Sequence, residues 1–408
     1  MSFSKILSPW YVLPIITLLI FLAPILIILS SIFSDYSDNW EHIYNYVLID
    51  YVINSIVLVS GVSVLVMAIG SVTAWVVTNY NFFGKKFFEW GLILPLAIPP
   101  YILAYTFTGL FDSYGTANEI ARDLFNLQQS AVLFPNIRNI YGAIIVFAFT
   151  LYPYVYLICR TAFLNQSKSM FEVGRTLGLS QTLIFFRLAL PLVRPALIAG
   201  TMIVAMETLS DFGAVDHFAV STFTTGIFRT WYGMYELTTA MQLASMLLIF
   251  ITFCLIIERT SRRNASYDSV SSNFKPSPVQ KLDSLKSFAC FLVCFLPIFI
   301  GFLLPILEIL NWALSFNSGF FDKQFLSISS NTILLSVTSA ILCTFIAMII
   351  NFSIRYKNSP LLKFINPFLN IGYAVPGLIL AVGIVQLFVF VDSKLLNSLE
   401  GYFLTGSI

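Results

Sequence analysis

The sequence predicts an all-α, polytopic membrane protein of about nine transmembrane helices, built as a parallel internal duplication whose second unit is incomplete. Three observations predict it. Of 408 residues, 58% are hydrophobic and only 10% charged, whereas a soluble domain carries about 25% charged residues. Apolar runs near the ~20 residues needed to cross the hydrocarbon core recur along the whole chain. Residues 54–111 also align without gaps to 331–388, at a constant offset of 277.

The first apolar run, about 10–33, follows MSFSK and lacks a small-residue cleavage site, so it reads as a retained span rather than a signal peptide. Further runs fall at about 53–77, 88–111, 141–161, 190–209, 240–257, 286–310, 331–354 and 364–391. With the N-terminus inside, the inner segments 1–9, 78–87, 160–194, 258–286 and 355–363 hold 17 of the 22 Lys and Arg residues. Basic residues stay on the cytoplasmic side, which places the N-terminus there. Acidic residues gather near the outer ends and leave the outer mouth electronegative. That mouth favours a cation or a basic partner over an anion, unless these are ordinary solvated loops.

The segment 258-ERTSRRNASYDSVSSNFKPSPVQKLDSLK-286 is rich in Ser, Pro and basic residues and reads as a cytoplasmic linker. It divides a first half, 1–257, from a linker, 258–285, and an incomplete second half, 286–408. The repeat supports this division: Asn54/Asn331, Asn81/Asn358, Lys86/Lys363 and Phe87/Phe364 match in frame. Its densest part is 97-AIPPYILAYTFTGLF-111 against 374-AVPGLILAVGIVQLF-388. Six spans separate matching helices, so both units run the same way through the membrane. Pro99 and Pro376 each interrupt a span, where a freed carbonyl must be satisfied by a neighbour or by water. Each marks either a bent helix lining a pathway or a packing kink.

Other chemistry is excluded or thinly supported. The five cysteines lie in or beside apolar runs without a CxxC pair and read as small apolar fillers. His42 and His217 are far apart in sequence, and no metal site or cofactor is expected. No phosphate-binding G-x-x-x-x-G-K-[ST] loop occurs, since Gly84-Lys85 lacks both the upstream Gly and the following Ser or Thr. The chain is not expected to be an enzyme, to hydrolyse ATP or to bind nucleic acid.

One inside segment stands out: 169-SMFEVGRTLGLSQTLIFFRLALP-191. Ser169 and Glu172 form a capping box, and Glu172 lies in the first turn where the helix dipole favours a negative charge. Gly178 suits a left-handed helix end, Ser180 caps a second helix, and that helix is expected to run to Pro191. The spacing Glu172-Val173-Gly174-Arg175-Thr-Leu-Gly178, followed by Leu190-Pro191, resembles the EAA loop of ABC-importer membrane subunits. The family usually has Ala-Ala where this chain has Val173-Gly174. Gly174 costs a helix about 1 kcal/mol relative to Ala, so a less rigid docking helix is expected.

The run 205–250 is similar to iron(III) ABC transporter permeases of the fused two-half type. It has the Glu-Thr-Leu-x-Asp-Phe-Gly start and the elements Phe223–Ile227, Arg229–Trp231 and Gln242–Ala244. The resemblance implies a subunit of the bacterial inner membrane that forms the translocation pathway of an ATP-driven importer for ferric iron. Its partners would be a cytoplasmic ATP-binding cassette subunit docking on residues 167–187, a periplasmic substrate-binding protein, and membrane lipid. Thiamine, sulfate and polyamine permeases share the loop, so it does not decide the cargo. Glu207 and Asp211, at the outer end of a span, are candidates for the substrate path or for binding-protein contact; a solvated helix end is the simpler alternative. A secondary transporter or channel remains the competing class, although the span interiors hold few charges. The offset of 277 puts a counterpart of Glu172 near position 449, beyond Ile408. With one docking loop where the family has two, the chain reads first as a truncated product, then as a fragment, and otherwise as a protein whose missing part comes from another chain; poor activity alone is expected.

Overall fold

The computed structural model describes residues 9–166, 172, 174, 176–263, 280–315, 322–369 and 375–394. Among them the chain is almost wholly helical, apart from a parallel two-residue pair of strands, Tyr80–Asn81 with Gln280–Lys281. Six helices are long and apolar enough to cross a membrane, and a seventh span is a bent pair, Lys85–Ala97 with Pro100–Phe125. Two shorter apolar helices, Leu237–Phe253 and Gly377–Ser393, complete the nine positions expected from sequence.

The helices are α1 (Pro9–Ser30), α2 (Leu48–Asn79), α3 (Lys85–Gly91), α4 (Pro100–Phe111), α5 (Thr116–Phe125), α6 (Ile140–Leu164) and α7 (Gln181–Ser210). They continue with α8 (Leu237–Arg263), α9 (Ser284–Ser315), α10 (Lys323–Lys357), α11 (Pro360–Leu369) and α12 (Gly377–Lys394). Two compact units result, one of residues 36–311 and one of 1–35 with 312–408.

In the larger unit, α2, α6 and α7 pack closest, because glycines stand where they meet. A Cβ on Gly70 of α2 would lie 2.7 Å from Val155 Cβ of α6. A Cβ on Gly200 of α7 would lie 2.9 Å from Val155 Cα on the same helix. Small residues bring membrane helices close enough for van der Waals packing, which in lipid replaces the hydrophobic effect as the driving force. The fully buried Tyr152, Tyr156 and Phe147 lie on α6, the central helix of this group. Hydroxyls within the spans return their hydrogen to the preceding turn, as Thr150 does to the Val146 carbonyl at 2.8 Å and Thr208 to Val204 at 2.8 Å. That is how a span carries threonine without an unsatisfied donor.

In the smaller unit, α10, α11 and α12 pack on α1. Trp10 meets Phe352 and Tyr356 at ring-centroid distances of 5.1 and 5.8 Å. A Cβ on Gly383 of α12 would fall 2.8 Å from the Pro24 carbonyl oxygen of α1. The duplication is visible in the elements: α4 starts at Pro100 and α12 at Gly377, 277 residues on, each just after a proline.

Candidate functional site

The break before α4 follows from its prolines. Pro99 forces Ile98 into extended backbone (φ −104°, ψ 115°), and Pro100 occupies the first helical turn, where no N–H is needed. The carbonyl of Pro99 is taken up by the Ile102 and Leu103 amides at 3.0 and 3.3 Å. The two arms meet at 87°, so Pro99 marks a sharp bend. In its angle lies a cavity of about 250 Å³ lined by Ile98, Pro99, Thr150, Tyr154, Glu207 and Asp211, among others. Three of the four pathway candidates, Pro99, Glu207 and Asp211, are thus brought together. Pro376 lies in the other unit, where it is buried and accepts the Leu380 amide at 3.1 Å as α12 begins.

Asp211 also has a structural role. Its Oδ1 accepts the Ala214 amide at 2.8 Å, capping the short helix Gly213–His217. Its carbonyl accepts the Thr224 hydroxyl at 2.7 Å. Burial pushes the carboxyl up to about 6, against the opposing Ala214 and Val215 amides and with Glu207 adding like charge. Such a carboxyl is more protonated folded than unfolded, so the folded state loses stability as pH rises from about 4 through about 6. Asp211→Asn keeps the capping oxygen but not the charge. It should therefore raise the thermal midpoint at pH 8 and leave it unchanged at pH 4, read by melting curves in detergent at the two pH values.

The α5 end of this unit is held by groups the sequence did not single out. Asn118 of α5 is fully buried. Its amide donates to the Asp112 carbonyl at 2.9 Å, and its oxygen accepts the Leu133 and Phe134 amides at 2.9 and 3.0 Å. The Arg138 guanidinium donates to the His217 carbonyl at 3.0 Å, and the His217 ring meets the Thr108 hydroxyl at 2.9 Å. Glu308 of α9 is buried and accepts the Thr116 hydroxyl at 2.6 Å. A single acidic residue in the run 286–310 was the available signal for it. An acid at that depth is tolerated only with a partner, and Thr116 is that partner.

At the opposite end of α7 lies the Gly-centred loop. Glu172 is exposed. Gly178 adopts φ +72°, and the Leu179 amide reaches back to the Gly174 carbonyl at 3.0 Å, a Schellman ending of the short helix. Ser180 Oγ then accepts the Leu183 amide at 3.4 Å as the N-cap of α7. Gly174 is buried, and a Cβ there would lie 3.0 Å from Leu188 and 3.1 Å from Ile184. The glycine that was expected to loosen the helix instead lets it sit close on α7. Ser169, Val173 and Arg175 lie outside the described residues, and with them the capping box.

One expectation needs correcting. The second helix of the loop does not end at Pro191 but continues through it to Ser210 as one 30-residue helix. A π-turn over Phe185–Ala189 precedes the proline and absorbs the irregularity caused by its missing N–H. The loop is rooted in the packed core of the helices: Trp75, Phe163 and Phe185 meet with ring centroids 5.3 to 6.3 Å apart. Buried Gln166 donates to the Ala189 carbonyl at 2.9 Å.

Gly178→Ala should cost about 1–2 kcal/mol, the usual penalty for a left-handed non-glycine residue. Nothing lies within 4 Å of a Cβ there, so the cost is backbone strain alone. Gly178→Asn should recover part of it in the same melting assay.

The described residues thus form a helical multi-pass fold with a carboxylate-lined cavity at one end of α7 and a Gly-centred loop at the other. Residues 66–263 match the family described as binding-protein-dependent transport system inner membrane component, and the chain carries a domain of that family. It is 27% identical over 342 residues to the Fe(3+)-transport system permease protein FbpB 2 of Haemophilus influenzae, covering 81% of this chain and 62% of the relative. The molybdenum transport system permease protein ModB of Escherichia coli is 29% identical over 157 residues, 38% of this chain and 66% of ModB. ModB of Haemophilus influenzae is 27% identical over 141 residues, 35% of this chain and 58% of that protein. The chain therefore spans about three-fifths of the length of its ferric relative.

Proposed function

We propose that this chain forms the membrane pathway of a binding-protein-dependent ABC importer for ferric iron, lying in a bacterial inner membrane with its N-terminus in the cytoplasm. The observation that carries the reading is α7. One uninterrupted helix of 30 residues, about 45 Å long, has the Gly174–Gly178 loop packed at its start and Glu207 and Ser210 on the cavity at its end. A cytoplasmic ATPase subunit gripping the loop would act on the cavity wall through α7, which runs from one to the other without a gap while carrying a π-turn at Phe185–Ala189, two prolines and Gly200. On this reading residues 1–257 are one permease half and 286–408 part of a second, a division by sequence repeat that cuts across the compact units 36–311 and 1–35 with 312–408.

The cavity supports a cation over the oxyanion that the molybdenum relatives' names imply. Among the described residues its lining includes Glu207 and Asp211 and no lysine or arginine. Two carboxylates repel molybdate or sulfate and attract a hard cation, which prefers oxygen ligands. Two ligands are also few enough to let an ion leave again, as transit requires. A periplasmic binding protein would hand iron over at the outer side, where α5 and the 126–139 segment lie.

The test is uptake of radioactive iron(III) into proteoliposomes holding this chain and its ATPase subunit, with iron presented by the binding protein. ATP-dependent accumulation, unaffected by excess molybdate, is the expected result. Accumulation of molybdate instead, or iron uptake that proceeds without ATPase, would refute the assignment.

A further inference from the structure

Two sequence elements singled out at the start, Phe223–Ile227 and Arg229–Trp231, fold into a short helix, Phe223–Phe228, and the π-turn Arg229–Gly233 that follows it. Together they lie along the segment that leaves α7. The Thr224 hydroxyl donates to the Asp211 carbonyl at 2.7 Å, and the Phe228 ring meets Phe212 at a centroid distance of 4.3 Å. The Arg229 guanidinium pairs with the Asp216 carboxylate at 3.5 Å. Thr224 and Phe228 are four residues apart and share a helix face, so one face follows residues 211 and 212 in order.

This short helix is itself anchored. Thr222 and Thr225 form a capping box at its start. Asn54 of α2 donates to the Ser221 carbonyl at 3.0 Å, and Gly226 sits against the Tyr51 ring of α2 with no room for a Cβ between them. Thr224 is buried; its one hydrogen goes to Asp211, so the Thr222 hydroxyl donates to it at 3.0 Å. Asp211 is thereby held at three points. Its amide donates to the Glu207 carbonyl at 3.1 Å, its Oδ1 accepts the Ala214 amide at 2.8 Å, and its carbonyl takes the Thr224 hydroxyl. The first two contacts are local, between residues 207 and 214, and would travel with the segment if it moved. Of the three, the Thr224 bond is the one that ties Asp211 to α2. An ionised carboxylate has about four lone-pair sites, so the cap leaves acceptor capacity for a cation in the cavity that Asp211 lines with Glu207.

We infer that Thr224 is a positioning residue for this site: it sets where the Asp211 carboxylate stands in the cavity, and so how tightly the cavity holds a hard cation. The inference rests on the reading of that cavity as a cation path. Groups behind a metal ligand fix its place, and losing one typically weakens metal binding about 10–100-fold.

The probe is terbium(III), a hard trivalent cation, titrated into the detergent-purified full chain while emission sensitised by the protein's aromatic rings is followed; Tyr154 lines the cavity. The part of the signal lost in Asp211→Asn belongs to the cavity. Thr224→Val should raise the dissociation constant of that part about tenfold with unchanged stoichiometry. Thr224→Ser, which keeps the hydroxyl, should restore it to near the parental value. Added to Asp211→Asn, Thr224→Val should change the remaining emission no further, because it acts through Asp211. Ser55→Ala removes the oxygen that accepts the Phe223 amide at 3.4 Å, and should lower the melting temperature without moving the constant. A merely structural Thr224 would behave the same way, with fewer binding-competent molecules at parental affinity, and that result would overturn the inference. So would a serine variant as weak as the valine one. If Thr224→Val does not assemble, Thr224→Ala carries the same comparison. A parent without any Asp211-dependent signal would refute the cation reading of the cavity and the inference with it. Parental affinity in Thr224→Val would leave that reading standing and remove Thr224 alone.

Discussion

Gly70→Ala and Gly200→Ala should each lower the stability of the larger unit by about 1–3 kcal/mol, the usual cost of overpacking a close contact. The added carbon at 70 would sit 2.7 Å from Val155 Cβ and 3.0 Å from the Tyr156 amide nitrogen, and at 200 it would sit 2.9 Å from Val155 Cα. Side-chain ends can swing aside, but these neighbours are backbone or Cβ, so the helices themselves must part. Both changes press on Val155, so the double variant should depart from additivity. Val155→Ala should not rescue Gly70→Ala, because the Cβ that clashes is retained. Gly233→Ala, with nothing within 4 Å of its new carbon, is the control and should stay within about 0.5 kcal/mol. Unfolding in mixed micelles titrated with SDS measures all of these; an unshifted Gly70→Ala midpoint would mean that α2 and α6 do not touch at this point.

Much of the fold was legible because a membrane span is a local property. Length and hydropathy placed all nine apolar segments, and Pro99 marked the place of the 87° bend while leaving bend and packing kink undecided. Gly178 likewise announced its own backbone angle. What the sequence concealed depends on distant pairing. Gly174 reads as a weak helix residue until Ile184 and Leu188 are found against it. Glu308 reads as an isolated acid until Thr116, 192 residues earlier, is found to donate to it. Pro191 reads as a stop because one missing N–H usually ends a helix, yet a π-turn upstream carried the helix through. Asp211 was legible as a polar residue at a span end, but not as both a cap and part of a cavity wall, since that requires the bend at Pro99.

On the importer reading proposed above, Glu172→Ala should weaken binding of the ATPase subunit at least tenfold, equivalent to about 1.4 kcal/mol, while leaving the melting temperature of the chain within a few degrees of the parent. The two readouts separate because the shape of the loop is fixed elsewhere: by the left-handed Gly178, the Ser180 cap, the Gln166–Ala189 hydrogen bond and the Trp75 aromatic cluster. Glu172 is exposed on that scaffold. Gly178→Ala provides the contrast, since it strains the loop itself and should lower stability and docking together. If the contact is an ion pair, raising salt from about 0.1 to 1 M shortens the screening length from about 10 to 3 Å and should weaken the parent more than Glu172→Gln. Undiminished ATPase binding by Glu172→Ala, at either salt, would remove this loop from the coupling path. α7 would then wall the cavity without passing any motion to it from this loop.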